Sequence, residues 1–163
     1  MNKKVLLIAE IGWNHFGDID LAKKMIDSAK LSGADFAKFQ TWSVSRLKSG
    51  AWDDDGRREI YEKAELSIAD HINLINYCNK KEINFLSSVF SIEDAKILID
   101  LNVKDVKIPS FESRNHDLIS FCDKNFDRIF MSTGTSKLDE IKESVKFLRK
   151  STFYLLFYFQ MKQ

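Results

Sequence analysis

The sequence predicts a parallel α/β fold, and two features of the chain carry that prediction. Short apolar runs alternate with segments whose apolar residues recur at helical spacing, and polar or glycine residues separate them. About five strand–helix units can be traced in this way, followed by a sixth apolar run. Short buried strands with amphipathic helices suit either a doubly wound sheet or a (β/α) barrel, so both architectures stay open at this point.

The predicted elements follow one another in order, with no linker between them. The first strand is the run VLLIA at 5–9, and a helix follows with Asp20 as its N-cap and Gly33 at its end. The polar stretch 43–60 is predicted to be a long loop. Further strands are predicted at 36–42, 84–90, 105–111, 128–135 and 153–159, and further helices at 68–81, 92–102, 116–124 and 137–150.

Composition excludes several classes of protein. A net charge of +1 with evenly mixed acids and bases indicates neither a nucleic-acid nor a membrane-surface partner. No apolar run approaches the ~18–20 residues of a transmembrane helix, and Glu10 comes too early for a secretory leader. Cys78 and Cys122 lack a paired metal-binding spacing, and three histidines are too few for zinc motifs. These features predict a cytoplasmic domain.

Polar residues collect where successive predicted strands end. In parallel α/β folds these carboxyl ends meet at one edge, where active sites lie. An unpaired lysine there needs an anion, and two lysines with hydroxyls and a Ser-Thr-Gly turn suit a doubly anionic ligand. Each lysine alone is more often salt-bridged. The residues concerned are Glu10, Lys38, Gln40, Ser87, Ser88, Lys107, Ser110, Glu112, Ser132, Thr133 and Gly134.

Other conspicuous residues receive structural interpretations. His71 and His116 are predicted to lie on the surface or at the start of a helix, without a functional role. The charged run 53–58 is expected to be a solvated loop. The phenylalanines at 39, 85, 90, 111 and 130 are expected to belong to the core.

Four stretches together resemble one known family. "AEIGWNHFGDIDLAKKMIDSAKLSGADFAKFQTW", "LSIADHINLINYCNKKEINFLSSVF", "VKDVKIPSFE" and "IFMSTGTSKLDEIKESV" resemble, in order, the start of the sialic acid synthases. The resemblance spans about residues 5–150. It implies a (β/α) TIM-type barrel, here incomplete, and condensation of phosphoenolpyruvate with an N-acetylated aldose such as N-acetylmannosamine. The acids made by this family include neuraminic, legionaminic and pseudaminic acids.

The resemblance also implies roles for individual residues. Catalytic positions are Glu10, Lys38 and Lys107. The asparagine–histidine pair at 14–15 matches a recurring pair in the first loop, for which only proximity to the site is implied. Phosphoenolpyruvate-binding positions are Lys38, Lys107, Ser110, Ser132 and Thr133, and sugar-binding positions are Glu10, Gln40 and Glu112.

The family resemblance further implies a divalent cation, Mn²⁺ or Mg²⁺, whose histidine ligands are missing from this chain. No residue of the chain is therefore predicted to bind the metal. Complete relatives are expected to be homodimers, and the resemblance gives no such expectation for this chain.

Three positions depart from the pattern of the family. Thr135 stands where relatives often have methionine, and Glu82 occupies a turn position usually held by glycine. Phe111 follows Ser110 where many relatives have glycine, and this change is expected to bear on the choice of sugar.

The end of the chain raises a further expectation. Relatives continue beyond "STFYLLFYFQMKQ" with later barrel strands, two metal-binding histidines and a small antifreeze-like domain. The chain, residues 1–163, is therefore predicted to be the first part of the barrel, inactive and prone to aggregation as given. Two alternatives stay open: a barrel aldolase or lyase with Lys38 or Lys107 as a Schiff base, and a non-catalytic interaction module.

Overall fold

The computed structural model describes residues 5–47 and 49–156 of the chain. The chain divides into two compact units, Met1–Ser87 and Ser88–Gln163. Each unit contains parallel strands connected through helices, as predicted. In the described ranges, no helix is both long enough and apolar enough to cross a membrane.

In its described residues, the first unit contains three α-helices and the first strands of the sheet. Strands β1 and β2 pair in parallel, and the strand order is β1-β2-β3. Two short 3-10 turns at Val44–Arg46 and Ala51–Asp53 follow β2. The elements are β1 (Ile8–Gly12), α1 (Ile19–Leu31), β2 (Phe36–Thr41), α2 (Arg57–Ala64), α3 (Ile68–Lys80) and the start of β3 (Asn84–Val89).

The second unit continues the same pattern from the end of β3. The strand order is β3-β4-β5-β6, with all three pairs parallel. The predicted sixth strand is confirmed as far as Leu156, and its remaining residues lie outside the described ones. The elements are α4 (Ile92–Asp100), β4 (Asp105–Ile108), a 3-10 turn (Ser110–Glu112), α5 (His116–Asn125), β5 (Arg128–Ser132), α6 (Leu138–Val145) and β6 (Thr152–Leu156).

Side-chain caps set the starts of several helices. The Asp18 carboxylate accepts a hydrogen bond from the Leu21 N–H, so the cap of α1 lies two residues before the predicted cap at Asp20. In α3, Ser67 and Asp70 form a reciprocal capping box, which satisfies two backbone N–H groups at once. Both caps use local sequence that precedes an amphipathic helix.

The stretch 43–60 is not the continuous loop that was predicted. Helix α2 begins within it at Arg57 and buries only Ala64, so its polar sequence gives no periodic apolar signal. Its place is set instead by Tyr61, whose ring contacts three tryptophan rings. The ring centroids lie 6.0 Å from Trp13, 5.9 Å from Trp42 and 5.6 Å from Trp52.

His71, predicted to lie on the surface or at the start of a helix, lies near the start of α3 but is buried. Its side chain is 1% exposed on the α3 face that also carries Leu74 and Cys78. Its Nδ1 lies 2.9 Å from the Ser67 carbonyl oxygen, which can only accept, so this nitrogen carries the proton. In the neutral ring, Nε2 then accepts from the Thr41 hydroxyl at 2.9 Å. The histidine therefore ties α3 to β2.

The prediction for the phenylalanines holds for three positions and fails clearly at one. Phe39 and Phe85 stack in the core of the first unit with centroids 5.5 Å apart, and Phe130 is buried in the second. Phe90 is only partly buried. Phe111 is 78% exposed, because it lies in the middle of the 3-10 turn that follows β4 rather than in the strand.

Candidate active site

Glu10 and Lys38 form an ion pair across the first two strands. The two residues are direct register partners in β1 and β2, so their side chains lie on the same face of the sheet. The Lys38 ammonium lies 2.7 Å from Oε1 and 2.8 Å from Oε2 of Glu10. Lys38 is 2% exposed and Glu10 is 57% exposed. The lysine that was predicted to need an anion has one in the chain itself.

The pKa of Lys38 departs from its ordinary value. Burial lowers the pKa of Lys38, because the charged ammonium loses its solvation, and the Glu10 carboxylate opposes this effect. A buried cation of this kind is stabilised by a carboxylate within hydrogen-bonding distance.

Gly12 lets three predicted site residues approach one point. Strand β1 slips in register between Glu10 and Gly12, and Gly12 has φ +59°, which a side chain would strain. A Cβ added there would lie 3.2 Å from Glu10 Oε1, 3.8 Å from Gln40 Nε2 and 4.0 Å from Asn14 Nδ2. The carboxylate and the two amides therefore converge at the carboxyl end of β1.

His15 does not share this location with Asn14. Its ring is 1% exposed and contacts Phe39, with centroids 6.0 Å apart. Phe39 follows Lys38 in β2, so it projects from the opposite face of the strand. The His15 Nδ1 accepts the Gly17 N–H at 3.1 Å. His15 thus holds the loop after β1 in place. Of the pair at 14–15, Asn14 lies beside Gly12 and Glu10, whereas His15 packs against Phe39.

The burial of His15 predicts a pH dependence of stability. Burial lowers the pKa of His15 below its ordinary value, while the charges of Asp70 and Asp18 oppose that shift. The unfolded chain therefore binds the proton more readily, so stability is full above about pH 6.5 and is lost as pH falls through the lowered pKa. We expect wild type to lose more unfolding free energy than His15→Gln between neutral pH and about pH 5. Urea denaturation at both pH values measures this, and equal losses would contradict it.

In the second unit, three polar residues share one face of neighbouring strands. Lys107 in β4 is the register partner of Ser88 in β3 and of Phe130 in β5. Ser132 lies two residues beyond Phe130 and so projects from the same face. Sequence reasoning placed Ser88 at a strand end without giving it a role. The two consecutive serines were a signal for this role, because alternation along a strand places one of them on each face. Ser88 lies on the face of Lys107, whereas Ser87 lies on the other face and hydrogen-bonds Thr41 at 2.7 Å.

The turn that carries Ser110 and Glu112 is held by hydrogen bonds. The Ser110 carbonyl oxygen accepts from the Ser113 hydroxyl and the Thr135 hydroxyl, each at 2.6 Å. The Glu112 carboxylate accepts from the Asn115 amide at 2.8 Å. Thr135, one of the departures from the family pattern, thus supplies a hydrogen bond that methionine could not make.

Thr133 is bonded to the end of β6. Both its N–H and its hydroxyl donate to the Leu156 carbonyl oxygen, each at 3.1 Å, and its side chain is 4% exposed. Of the two phosphoenolpyruvate-binding residues predicted here, Ser132 is the last residue of β5 and is half-buried, whereas both hydrogen-bond donors of Thr133 are used in the contact with Leu156.

Two kinds of chemistry find no support in the described part of the chain. Within residues 5–47 and 49–156, no three His, Cys, Asp or Glu side chains form a group that could hold a metal ion. Cys78 and Cys122 are free and buried, and burial raises the pKa of each thiol to about 12. Neither cysteine is therefore an activated nucleophile.

A family model described as the NeuB family matches residues 25–157. This chain belongs to the NeuB family. The N,N'-diacetyllegionaminic acid synthase of Campylobacter jejuni is 38% identical over 161 residues, which cover 91% of this chain and 48% of that protein. The pseudaminic acid synthase of Helicobacter pylori is 30% identical, over 88% of this chain and 46% of its own length. The chain spans about half the length of the curated relatives it matches.

A solved structure of a similar protein has the same fold as this NeuB-family chain. The N-acetylneuraminic acid synthetase of Leptospira borgpetersenii superposes with a TM-score of 0.86 and 29% identity. The match covers 96% of this chain and 54% of that one. The predicted family and the predicted fold class are therefore confirmed.

Proposed function

We propose that this chain carries substrate-binding residues of a synthase that condenses phosphoenolpyruvate with an N-acetylated aldose and releases phosphate. One observation supports this above the others: Lys38, Glu10 and Gln40 converge at the carboxyl end of β1 and β2. A buried cation, a carboxylate and an amide are the groups that an anionic enol and a polar sugar require. The names of the relatives support the same class of reaction.

The lysines would bind and orient phosphoenolpyruvate. In the first unit, Lys38 would neutralise an anionic group of the ligand. In the second unit, Lys107 is proposed to do the same, with the hydroxyls of Ser110 and Ser132 and the backbone around Thr133 as further donors. The enol carbon then attacks the aldehyde of the sugar, and positive character develops at C2 of the former enol. Water adds at this carbon, and the tetrahedral intermediate expels phosphate. Holding the two reactants in contact supplies much of the acceleration.

Glu10, Gln40 and Glu112 are proposed to face the sugar. Glu10 is the more exposed residue of its ion pair with Lys38. Its carboxylate can therefore position the aldehyde and assist proton movement at the carbonyl oxygen. The amide of Gln40 offers both a donor and an acceptor to sugar hydroxyls. The acceptor class we propose comprises N-acetylmannosamine and its diacetamido-dideoxy analogues, with cytoplasmic synthesis of a cell-surface polysaccharide as the setting.

The divalent cation implied by the family does not fit the described residues. Residues 5–47 and 49–156 offer no set of three suitable ligands. The roles proposed above are therefore confined to side chains that the structure describes, and none depends on a metal.

Binding and product release test the proposal separately. We expect isothermal titration calorimetry to show saturable binding of phosphoenolpyruvate to the 163-residue chain. Phosphate release is then measured with the panel of N-acetylated aldoses, and release with one of them identifies the acceptor. Absence of phosphoenolpyruvate binding to the folded chain would contradict the proposal.

A Schiff-base aldolase or lyase is the second candidate, favoured by the lowered pKa of Lys38. The close carboxylate of Glu10 argues against it, because it holds the lysine as the ammonium ion. Borohydride reduction in the presence of pyruvate separates the two functions. The synthase leaves no covalent adduct, whereas an adduct on Lys38 would favour the aldolase.

A further inference from the structure

We propose that Glu10 is a resident anion at Lys38, which phosphoenolpyruvate must displace when it binds. This inference rests on the proposed function, since it assumes that Lys38 receives an anionic ligand. It assigns Glu10 a second task besides facing the sugar, namely to set the affinity of the site for anions.

The geometry of the pair fits an exchangeable counter-ion. Both carboxylate oxygens lie within 2.8 Å of the Lys38 ammonium, which is the contact that a phosphate or carboxylate oxygen would make. The two partners are unequally buried, at 2% and 57% exposure. The lysine is therefore fixed in the sheet, whereas the glutamate can turn into solvent without leaving an uncompensated buried charge of its own.

The surroundings of Glu10 leave room for that movement. Gly12 has no side chain, and a Cβ at this position would lie 3.2 Å from Glu10 Oε1. Because of the slip in register after Glu10, Gly12 rather than Ile11 is the register partner of Phe39, the residue that follows Lys38. Space next to an exposed carboxylate allows it to change rotamer when an anion takes its place.

Electrostatics predicts whether removal of the Glu10 charge raises or lowers the affinity for anions. A ligand anion at Lys38 must either displace Glu10 or bind beside a second negative charge, and both cost binding free energy. Removing the charge of Glu10 therefore raises anion affinity, whereas a residue that only assists the sugar would leave this affinity unchanged. The test can use phosphoenolpyruvate or inorganic phosphate with no sugar present.

The experiment compares wild type with Glu10→Gln, which keeps the shape of the side chain and removes its charge. Glu93→Gln is the matched control, because it makes the same change of net charge at an exposed position on α4. Dissociation constants for phosphoenolpyruvate and inorganic phosphate are measured by calorimetry at neutral pH. We expect Glu10→Gln to bind both anions at least about tenfold more tightly than wild type, and Glu93→Gln to bind like wild type.

The outcomes distinguish this inference from the proposed function. Equal or weaker anion binding by Glu10→Gln, while wild type still binds phosphoenolpyruvate, overturns the exchange and leaves the synthase proposal standing. Absence of binding by every variant overturns both. If Glu10→Gln is unfolded without ligand, circular dichroism measures its refolding on addition of phosphate. The exchange is supported if phosphate refolds Glu10→Gln but not the double variant Glu10→Gln/Lys38→Met. It is overturned if Glu10→Gln fails to refold at phosphate concentrations that saturate wild type.

Discussion

Gly17→Ala is expected to destabilise the first unit by roughly 3 kcal/mol or more. Gly17 has φ +81°, and an added Cβ would lie far inside the van der Waals distance of the Lys63 carbonyl oxygen. The position of a Cβ is fixed by the backbone of its own residue, and the Lys63 carbonyl is backbone, so no side-chain rotation can relieve the overlap. The loop after β1 or helix α2 must therefore move, which separates Trp13 from Tyr61. Urea denaturation followed by circular dichroism measures the loss.

Gly33→Ala is the matched control for this substitution. Gly33 has nearly the same backbone conformation, with φ +80°, but nothing lies within 4 Å of its added Cβ. It should lose only about 1–2 kcal/mol, the cost of a left-handed conformation for a residue with a side chain. The difference between the two variants isolates the contact with Lys63. Equal losses would show that no steric overlap exists at Gly17.

Lys38→Ala is expected to weaken phosphoenolpyruvate binding by on the order of 2–5 kcal/mol, which is about 30-fold or more. The substitution removes the buried cation and leaves the Glu10 carboxylate at the site, where it repels the ligand. Lys38→Met should behave in the same way without creating a cavity. Lys107→Ala should also weaken binding, since it removes the second proposed cation. Calorimetry gives the affinities directly.

The control for the lysine variants is Lys96→Ala, which removes an exposed cation from α4. We expect its affinity for phosphoenolpyruvate to equal that of wild type, because solvent screens a surface charge. Wild-type affinity in both Lys38 variants would remove Lys38 from the proposed phosphoenolpyruvate site.

The strands and most helices could be predicted because their signals are local. The apolar runs and the helix periods depend on neighbouring residues only. The boundaries are less local: the run VLLIA predicts a strand at 5–9, whereas β1 spans Ile8–Gly12. Helix α2 could not be predicted in this way, since its place depends on the contacts of Tyr61 with three distant tryptophans. The burial of His71 could not be predicted for the same reason. It depends on packing against another element, in which Thr41 hydrogen-bonds the ring.

The candidate site was predicted in part. Alternation in β2 placed Lys38 and Gln40 on one face, and the family resemblance supplied their roles. The partner of Lys38 was not predictable, because it depends on the register of β1 against β2 and on the slip after Glu10. The prediction that Phe111 belongs to the core failed for a related reason. The strand pattern continues through "KIPSF", but β4 ends at Ile108, and the turn after Pro109 turns the phenylalanine out to solvent.

The cluster around Tyr61 makes the intrinsic fluorescence of this protein selective for its first unit. The chain has three tryptophans, at 13, 42 and 52, and each contacts the ring of Tyr61. Residues 88–163 contain none. Tryptophan emission therefore follows the surroundings of Tyr61 in the first unit, whereas circular dichroism follows the helices of both units. A difference between the two denaturation curves would reveal whether the two units unfold in one step or in two.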